Sequence, residues 1–318
     1  MQNHHFPVSE VLPGEVRDSI GQHRRPVGTG HANAADHRLW EIGPVVEMAP
    51  MQATSYIVTY RESGDPARRA NLDTVLRWLE TLQLAEVIVV EQDVAPTLGT
   101  LRPFAGLRSV FAYNPGPFNK SWGLNIGVRH SSGSLLAFGD ADIVCGSFPD
   151  AVASSRSGIM ALRPFRDMND LDEATSALLR DDPRRMYEPG FHKGPVDRAG
   201  MREHLPICGG LVIFHRQLLM LLGGWDERFL GWGGEDDAMD IKVRRAGVPF
   251  GVRNTADGFH MFHERANNTP DHMPHYQDNL DILRQLETLP DAMLKRLSEV
   301  SWFLAGNEHM HWPPEPLA

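Results

Sequence analysis

Ser55-Tyr56-Ile57-Val58-Thr59-Tyr60 is rich in β-branched and aromatic residues and runs into charged residues and a glycine, which predicts a strand. Leu72, Val75, Leu76, Leu79 and Leu82 then recur at helical spacing and predict an amphipathic helix over 66–83. Val87-Ile88-Val89-Val90 follows, a continuous apolar run suited to a strand buried on both faces of a parallel sheet. Strand, helix and strand in quick succession form a βαβ unit. The stretch therefore assigns the chain to the α/β class, with a mostly parallel central sheet flanked by helices.

Further elements extend this unit. A helix over 119–131 is expected to lead into the strand Leu135-Leu136-Ala137-Phe138. Leu211-Val212-Ile213-Phe214 predicts another strand, followed by a Leu/Met-rich helix to Leu222. Val248 to Val252 and Gly258 to His263 have the pattern of short strands, and 275–304 that of one or two helices. Residues 1–50 are rich in His, Pro and Gly without a sustained period, which predicts an irregular arm or cap. Residues 163–206 carry many charges, Pro and Gly, and are expected to form a long mobile surface loop over a site.

The 318 residues suit one large α/β domain or two small ones, and the net charge of −10 argues against broad nucleic-acid or anionic-membrane binding. No apolar run approaches the roughly 18–20 residues needed to span a bilayer. The start, Met1-Gln2-Asn3-His4-His5-Phe6-Pro7, lacks the basic segment and apolar core of a secretory signal. Cys145 and Cys208 are too few and too far apart for a disulfide framework, so a cytoplasmic location is the expectation.

Asp140-Ala141-Asp142 follows an apolar strand, and ligands of open α/β sheets bind beside strand C-termini. Two carboxylates one residue apart suit Mn²⁺ or Mg²⁺. His260 and His263 flank Met261-Phe262 in a strand-like run, where an i, i+3 pair points to opposite faces, so only one of them is expected to join Asp142. The other acidic cluster is Gly231-Trp232-Gly233-Gly234-Glu235-Asp236-Asp237. Its glycines permit a sharp turn and close approach of a ligand, and its indole offers a flat apolar face. The residues from Ala238 to Gly247 resemble a short helix, which puts the acids at its N-terminus. Acids there are common as capping groups, and the helix dipole predicts a lowered pKa for Asp236.

Taken in order, these motifs resemble the GT-A fold glycosyltransferases, above all the β-1,4-galactosyltransferase family and its bacterial relatives. Thr59-Tyr60-Arg61 resembles the family's Pro-Phe-Arg segment, and Val89-Val90-Glu91-Gln92 its Val-Ile-Asn-Gln strand end. Phe118-Asn119-Lys120 with Leu124-Asn125-Ile126-Gly127 resembles its Phe-Asn-Arg helix start. Gly139 to Ile143 resembles the Asp-Val-Asp metal motif, and Cys208-Gly209-Gly210 the Phe-Gly-Gly entry to the sugar site. Gly231 to Asp237 matches Gly-Trp-Gly-Gly-Glu-Asp-Asp, and His260 to His263 resembles Met-x-x-His with His in place of Met.

The resemblance implies an inverting, metal-dependent transferase. It would move galactose or N-acetylgalactosamine from a UDP-sugar to a hydroxyl of a glycan or small-molecule acceptor, with Mn²⁺ or Mg²⁺ as cofactor. It implies a nucleotide and metal half over 51–150 and an acceptor half over 207–274, together a catalytic domain at 51–274, with 275–318 as a helical extension. Thr59, Tyr60, Arg61, Glu91, Lys120, Asn125, Asp140 and Gly210 would face the donor. Asp142, His263 and His260 would hold the metal. Trp232, Gly233 and Asp237 would meet the acceptor, Asp236 would take its proton and Glu235 would orient the site. Ile207 stands where the family's galactosyltransferases carry Tyr, which leaves room for an N-acetyl group. A nucleotidyltransferase is the first alternative, but Arg61-Glu62-Ser63-Gly64 is poor in basic residues for a phosphate loop. A non-catalytic sugar-binding protein is the second, and it would be expected to lack the Asp or His ligands.

Overall fold

The computed structural model describes residues 51–99, 101–155, 159–191, 207, 210–253, 257–264 and 273–299. In chain order these form β1 (Thr54–Tyr60), α1 (Pro66–Thr81), β2 (Glu86–Asp93), β3 (Leu107–Tyr113), α2 (Lys120–Arg129) and β4 (Leu135–Gly139). Next come β5 (Ile143–Cys145), α3 (Phe148–Ser154), β6 (Ala161–Arg163), β7 (Asp167–Asp170) and α4 (Glu173–Asp181). The remainder is β8 (Leu211–His215), α5 (Arg216–Leu221), α6 (Glu235–Arg245), β9 (Phe250–Val252), β10 (Asp257–His260), α7 (Tyr276–Thr288) and α8 (Asp291–Glu299). No helix among the described residues is long and apolar enough to cross a membrane.

The βαβ unit forms as its periodicity dictates. Asp65 caps α1 by accepting a hydrogen bond from Ala67 N at 2.9 Å, and Pro66 occupies the first turn, where its missing N–H costs nothing. Leu72, Val75, Leu76 and Leu79 are buried against the sheet. Strands β1 and β2 pair in parallel, with Ile57 opposite Ile88 and Tyr60 opposite Glu91. The strand period of two sends Tyr56 and Val58 into one core and Ile57 into the other. On that second face α2 packs directly on β1: a Cβ added at Gly127 would lie 2.3 Å from Ile57 Cγ2, and one at Gly123 2.3 Å from Thr59 Oγ1.

The main sheet has the order β3-β2-β1-β4-β8-β6-β9. Strands β1 to β4 run parallel, and β8 is antiparallel to both β4 and β6. From β1 the chain crosses through α1 to β2 on one side, while β4 returns on the other. The order therefore reverses between β1 and β4, the point at which ligands of open α/β sheets bind in the crevice beside the strand C-termini. A second sheet, β5-β10-β7, stands at that crevice. β10 pairs antiparallel with β5 and parallel with β7, which places His260 opposite Ile143 and opposite Asp170.

The short elements β5, α3 and β6 have no counterpart among the elements expected from the sequence, and two further regions differ from expectation. β3 was not foreseen: it is an edge strand whose side chains are mostly exposed or half-buried, so it lacks a continuous apolar run. Residues 163–191 are not one long irregular loop. They contain β7, α4 and a 3₁₀ turn at Pro183–Tyr187; β7 is only four residues long, and α4 buries Thr175 and Ser176 beside Leu179, so its inward face is not marked by apolar letters. The rest of the expected loop, 192–206, lies outside the described residues, as do the arm at 1–50 and Cys208-Gly209.

Candidate active site

The crevice has two corners, and the ends of regular elements build both. In the first, Lys120 opens α2, Asp140 follows β4, and Glu235 and Asp236 open α6. The Lys120 ammonium lies 3.0 Å from Asp140 Oδ1, 3.3 Å from Glu235 Oε1 and 3.7 Å from Asp236 Oδ1. Burial alone would lower its pKa, but Asp140, Asp236 and Glu235 overcome that and hold it well above the ordinary lysine value. Burial pushes Asp236 up to about 8; Lys120 opposes the rise, and Glu235, Asp140 and Asp237 add to it. The sequence-based expectation of a lowered Asp236 pKa is thus reversed. The helix dipole is a small effect beside desolvation and three crowded carboxylates.

This corner is narrow, lined by Lys120, Asp140, Ile207, Gly210, Trp225 and Asp236. Gly210 has φ +73°, and a Cβ there would stand 2.2 Å from Asp140 Oδ2. Its carbonyl accepts the Asp140 N–H at 2.8 Å, so glycine is required for the strand end to approach so closely. On the rim, Gly231, Gly233 and Gly234 all take positive φ, and Trp232 is 53% exposed. The indole stacks on Tyr276 of α7, with ring centroids 6.0 Å apart. Asn279 of α7 fixes this turn by donating to the carbonyls of Leu230, Trp232 and Gly233 and accepting from Leu230 N. Asp237 lies at the foot of the turn, buried.

The second corner is assembled by the small sheet. Asp142 precedes β5, and His260 ends β10. Asp142 Oδ2 lies 3.3 Å from His263 Nε2 and 3.6 Å from His260 Nε2. One ligand atom from each of the three residues falls within 4.8 Å of the others. The expectation that the two histidines face apart is corrected here, because the strand stops at His260. The chain then turns and is pinned. Phe262 N donates to Ser176 Oγ, the Phe262 carbonyl accepts from Asn71 and Arg180, and Glu264 N donates to Asp65. Burial would raise the Asp142 pKa, but His260, His263 and Arg68 more than reverse this and leave it below the usual carboxylate range. Burial lowers the His263 pKa, which favours the neutral imidazole that ligates metals.

Five residues expected at the donor are turned inward instead. Arg61 donates to the carbonyls of Gln92, Gly116 and Asn114 at 2.7, 2.7 and 2.9 Å, tying the ends of β1 and β2 to the loop before α2. Thr59 accepts from Gln92 Nε2 in the interior. Tyr60 is in the core and donates to Glu62. Glu91 accepts from Thr97 and Leu98, holding the turn after β2. Asn125 locks the 225–227 loop by donating to Trp225 O and Glu227 Oε1 and accepting from Trp225 N. These side chains already meet protein partners, so their places in the motifs shape the crevice. Asp170, Tyr276 and Asn279 were missed: each contributes through tertiary contacts, and no local pattern marks them.

Comparison with known proteins bears on this crevice. Residues 197–264, which include the Gly231–Asp237 turn and both histidines, match the family model described as the N-terminal domain of galactosyltransferase. The chain resembles the β-1,4-galactosyltransferases. Beta-1,4-galactosyltransferase 7 of Drosophila melanogaster is 28% identical over 114 residues, 33% of this chain and 34% of that protein. The galactosyltransferase-like match thus spans about a third of the curated relative's length. Among solved structures, the catalytic domain of the Drosophila galactosyltransferase 7 with xylobiose has a TM-score of 0.37 at 16% identity, covering 63% of each chain. Glucosyl-3-phosphoglycerate synthase from Mycobacterium tuberculosis, in complex with Mn²⁺, UDP-glucose and phosphoglyceric acid, has a TM-score of 0.47 at 15% identity, covering 76% of this chain and 84% of that one.

Proposed function

We propose that this chain is an inverting, metal-dependent glycosyltransferase that moves galactose or N-acetylgalactosamine from a UDP-sugar to an acceptor hydroxyl. One observation carries the proposal: the Asp236 carboxylate shares a narrow cleft with the Lys120 ammonium, 3.7 Å away, and the end of β4, where burial raises its pKa. A base near neutral pH facing a cation is what removal of a hydroxyl proton opposite an anionic leaving group requires. The galactosyltransferase match over 197–264 supports the same assignment.

The second corner fits a divalent ion. Asp142 Oδ1 is buried with no hydrogen-bond partner among the described residues, and one carboxylate with two imidazoles is a donor set for a first-row divalent ion such as Mn²⁺ or Fe²⁺. Asp142, His263 and His260 would hold the ion, and when bound it would neutralise charge on the diphosphate. Lys120, held beside Asp140, Glu235 and Asp236, would face the diphosphate of the donor and keeps the Asp236 pKa from rising further. The bond from the anomeric carbon to the UDP oxygen breaks as the acceptor oxygen bonds to the opposite face. Asp236 takes the hydroxyl proton, and UDP leaves with the bonding electron pair. Glu235 orients Lys120, Asp237 holds an acceptor hydroxyl, and Trp232 and Gly233 form the surface on which the acceptor rests.

Ile207 is buried in the cleft wall beside Asp140 and Lys120. An aliphatic side chain there supports acceptance of UDP-GalNAc at least as well as UDP-Gal. The test is to screen UDP-sugars with Mn²⁺ for hydrolysis, then the best donor against an acceptor array. Metal-dependent release of UDP is expected, with UDP-GalNAc at least equal to UDP-Gal. No turnover of any UDP-sugar would refute the function, and clear preference for UDP-Gal would refute the donor assignment.

A further inference from the structure

Strands β7 and β10 pair in parallel with Asp170 opposite His260, and Leu171 N donates to His260 O at 2.9 Å. The backbone ladder therefore fixes both residues before any ligand arrives. The Asp170 Oδ1 atom lies 3.0 Å from His260 Nδ1, while His260 Nε2 lies 3.6 Å from Asp142 Oδ2 on the other edge of the ring. One imidazole is thus held between two carboxylates, and both side chains of the Asp170–His260 pair are largely buried.

We propose that Asp170 is a positioning residue that accepts the Nδ1–H of His260 and so commits the Nε2 lone pair to the cation at Asp142. This deepens the metal-dependent function proposed above and rests on it. An imidazole has one N–H when neutral, and whichever nitrogen carries it cannot ligate. A carboxylate on Nδ1 settles that choice, fixes the ring plane and makes Nε2 a better donor. His263 obtains the equivalent arrangement differently: its Nδ1 lies 2.9 Å from the Glu264 carbonyl, and its Nε2 faces Asp142. The two histidines then present the same nitrogen to the same carboxylate, one oriented by a backbone carbonyl and the other by Asp170. The cation would take a carboxylate and two imidazoles, so His260 serves as a full ligand.

The test uses the full chain with Mn²⁺ alone, and with Co²⁺ as a spectroscopic probe. In metal-free protein, at a pH high enough that the His260 ring is neutral, nitrogen-15 NMR of the histidines should show His260 as the Nδ1–H tautomer, and Asp170→Ala should shift it toward Nε2–H. Calorimetric Mn²⁺ titration should show Asp170→Ala weakening binding about 10–100-fold, with Asp170→Asn, which keeps an acceptor oxygen, losing less. The visible spectrum of Co²⁺ should change in Asp170→Ala and be largely restored in Asp170→Asn. An Nε2–H tautomer in the unsubstituted protein, or Mn²⁺ affinity in Asp170→Ala equal to the unsubstituted protein, would overturn the proposal. Asp142→Ala separates the two levels. If it binds Mn²⁺ as well as the unsubstituted protein, the metal site itself is wrong, whatever the tautomer of His260. If it loses Mn²⁺ while Asp170→Ala does not, the metal site stands and the role of Asp170 falls.

Discussion

Asp140 and Asp142 stand one residue apart in the same crevice, and the protein treats them oppositely. Burial raises the pKa of Asp140, with Lys120 opposing and Asp142 adding to the rise. Asp142 lies against two imidazoles and is held below the ordinary range. The difference follows from what each strand end meets. Asp140 faces the N-termini of α2 and α6, where other carboxylates crowd it around one ammonium. Asp142 turns into the small sheet, where two imidazoles collect. An Asp-x-Asp motif is therefore two sites: one belongs to a charge knot around Lys120, the other to a candidate cation site.

The largest effect that sharpens this comparison is expected at Asp236. Asp236→Asn should lower transfer by about 10³-fold or more, near the limit for loss of a general base, while metal-dependent UDP binding measured by calorimetry stays within about twofold of the unsubstituted protein, since the substitution is isosteric. Loss of UDP binding would place Asp236 in the donor corner instead. Asp142→Ala should show the opposite pattern, with Mn²⁺ and UDP affinity falling about 10²-fold for loss of a carboxylate ligand, a value scaled from the effects of supporting residues.

The pH dependence is the next largest. Below the Asp236 pKa of about 8 the carboxyl is protonated and cannot accept a proton. The kcat/KM should therefore fall about tenfold per pH unit on the acid side of that value, as for any single required base. The sign for stability is opposite. The folded pKa is raised from 3.8 to about 8, so between these values the folded state binds more protons and stability falls as pH rises. Denaturant titrations of Asp236→Asn should show a flatter pH dependence over that window.

The smallest effect concerns the inward-turned motif residues. Asn125→Ala should cost about 2–3 kcal/mol in denaturant unfolding, because it strands buried partners in the 225–227 loop. Any loss of activity should track disorder of that loop. A variant of full stability that had lost donor affinity would show that Asn125 meets the donor directly.

Much of the fold was legible because β1, α1, β2, β4 and β8 are buried enough to impose an apolar period on their sequences. β3 escaped because it lies at the sheet edge, β7 because it is short, and α4 because it buries Thr175 and Ser176 as well as Leu179. In the site, Lys120, Asp140, Asp142, Glu235 and Asp236 stand at the first turns of helices or just after a strand, and all lie at the crevice. Letters of the same motifs deeper inside strands or helices turn to protein partners. Glu91 and Asn125 satisfy backbone groups beneath it, a distinction that depends on partners brought from far along the chain. Asp170 is invisible for the same reason, since only the pairing of β7 with β10 brings it to His260.

The most direct test of inverting sugar transfer needs no acceptor. The α-linked UDP-sugar that turns over best can be hydrolysed with Mn²⁺, and the released sugar followed by proton NMR before mutarotation. Attack opposite the leaving group with Asp236 as base predicts the β anomer first. First appearance of the α anomer would contradict it.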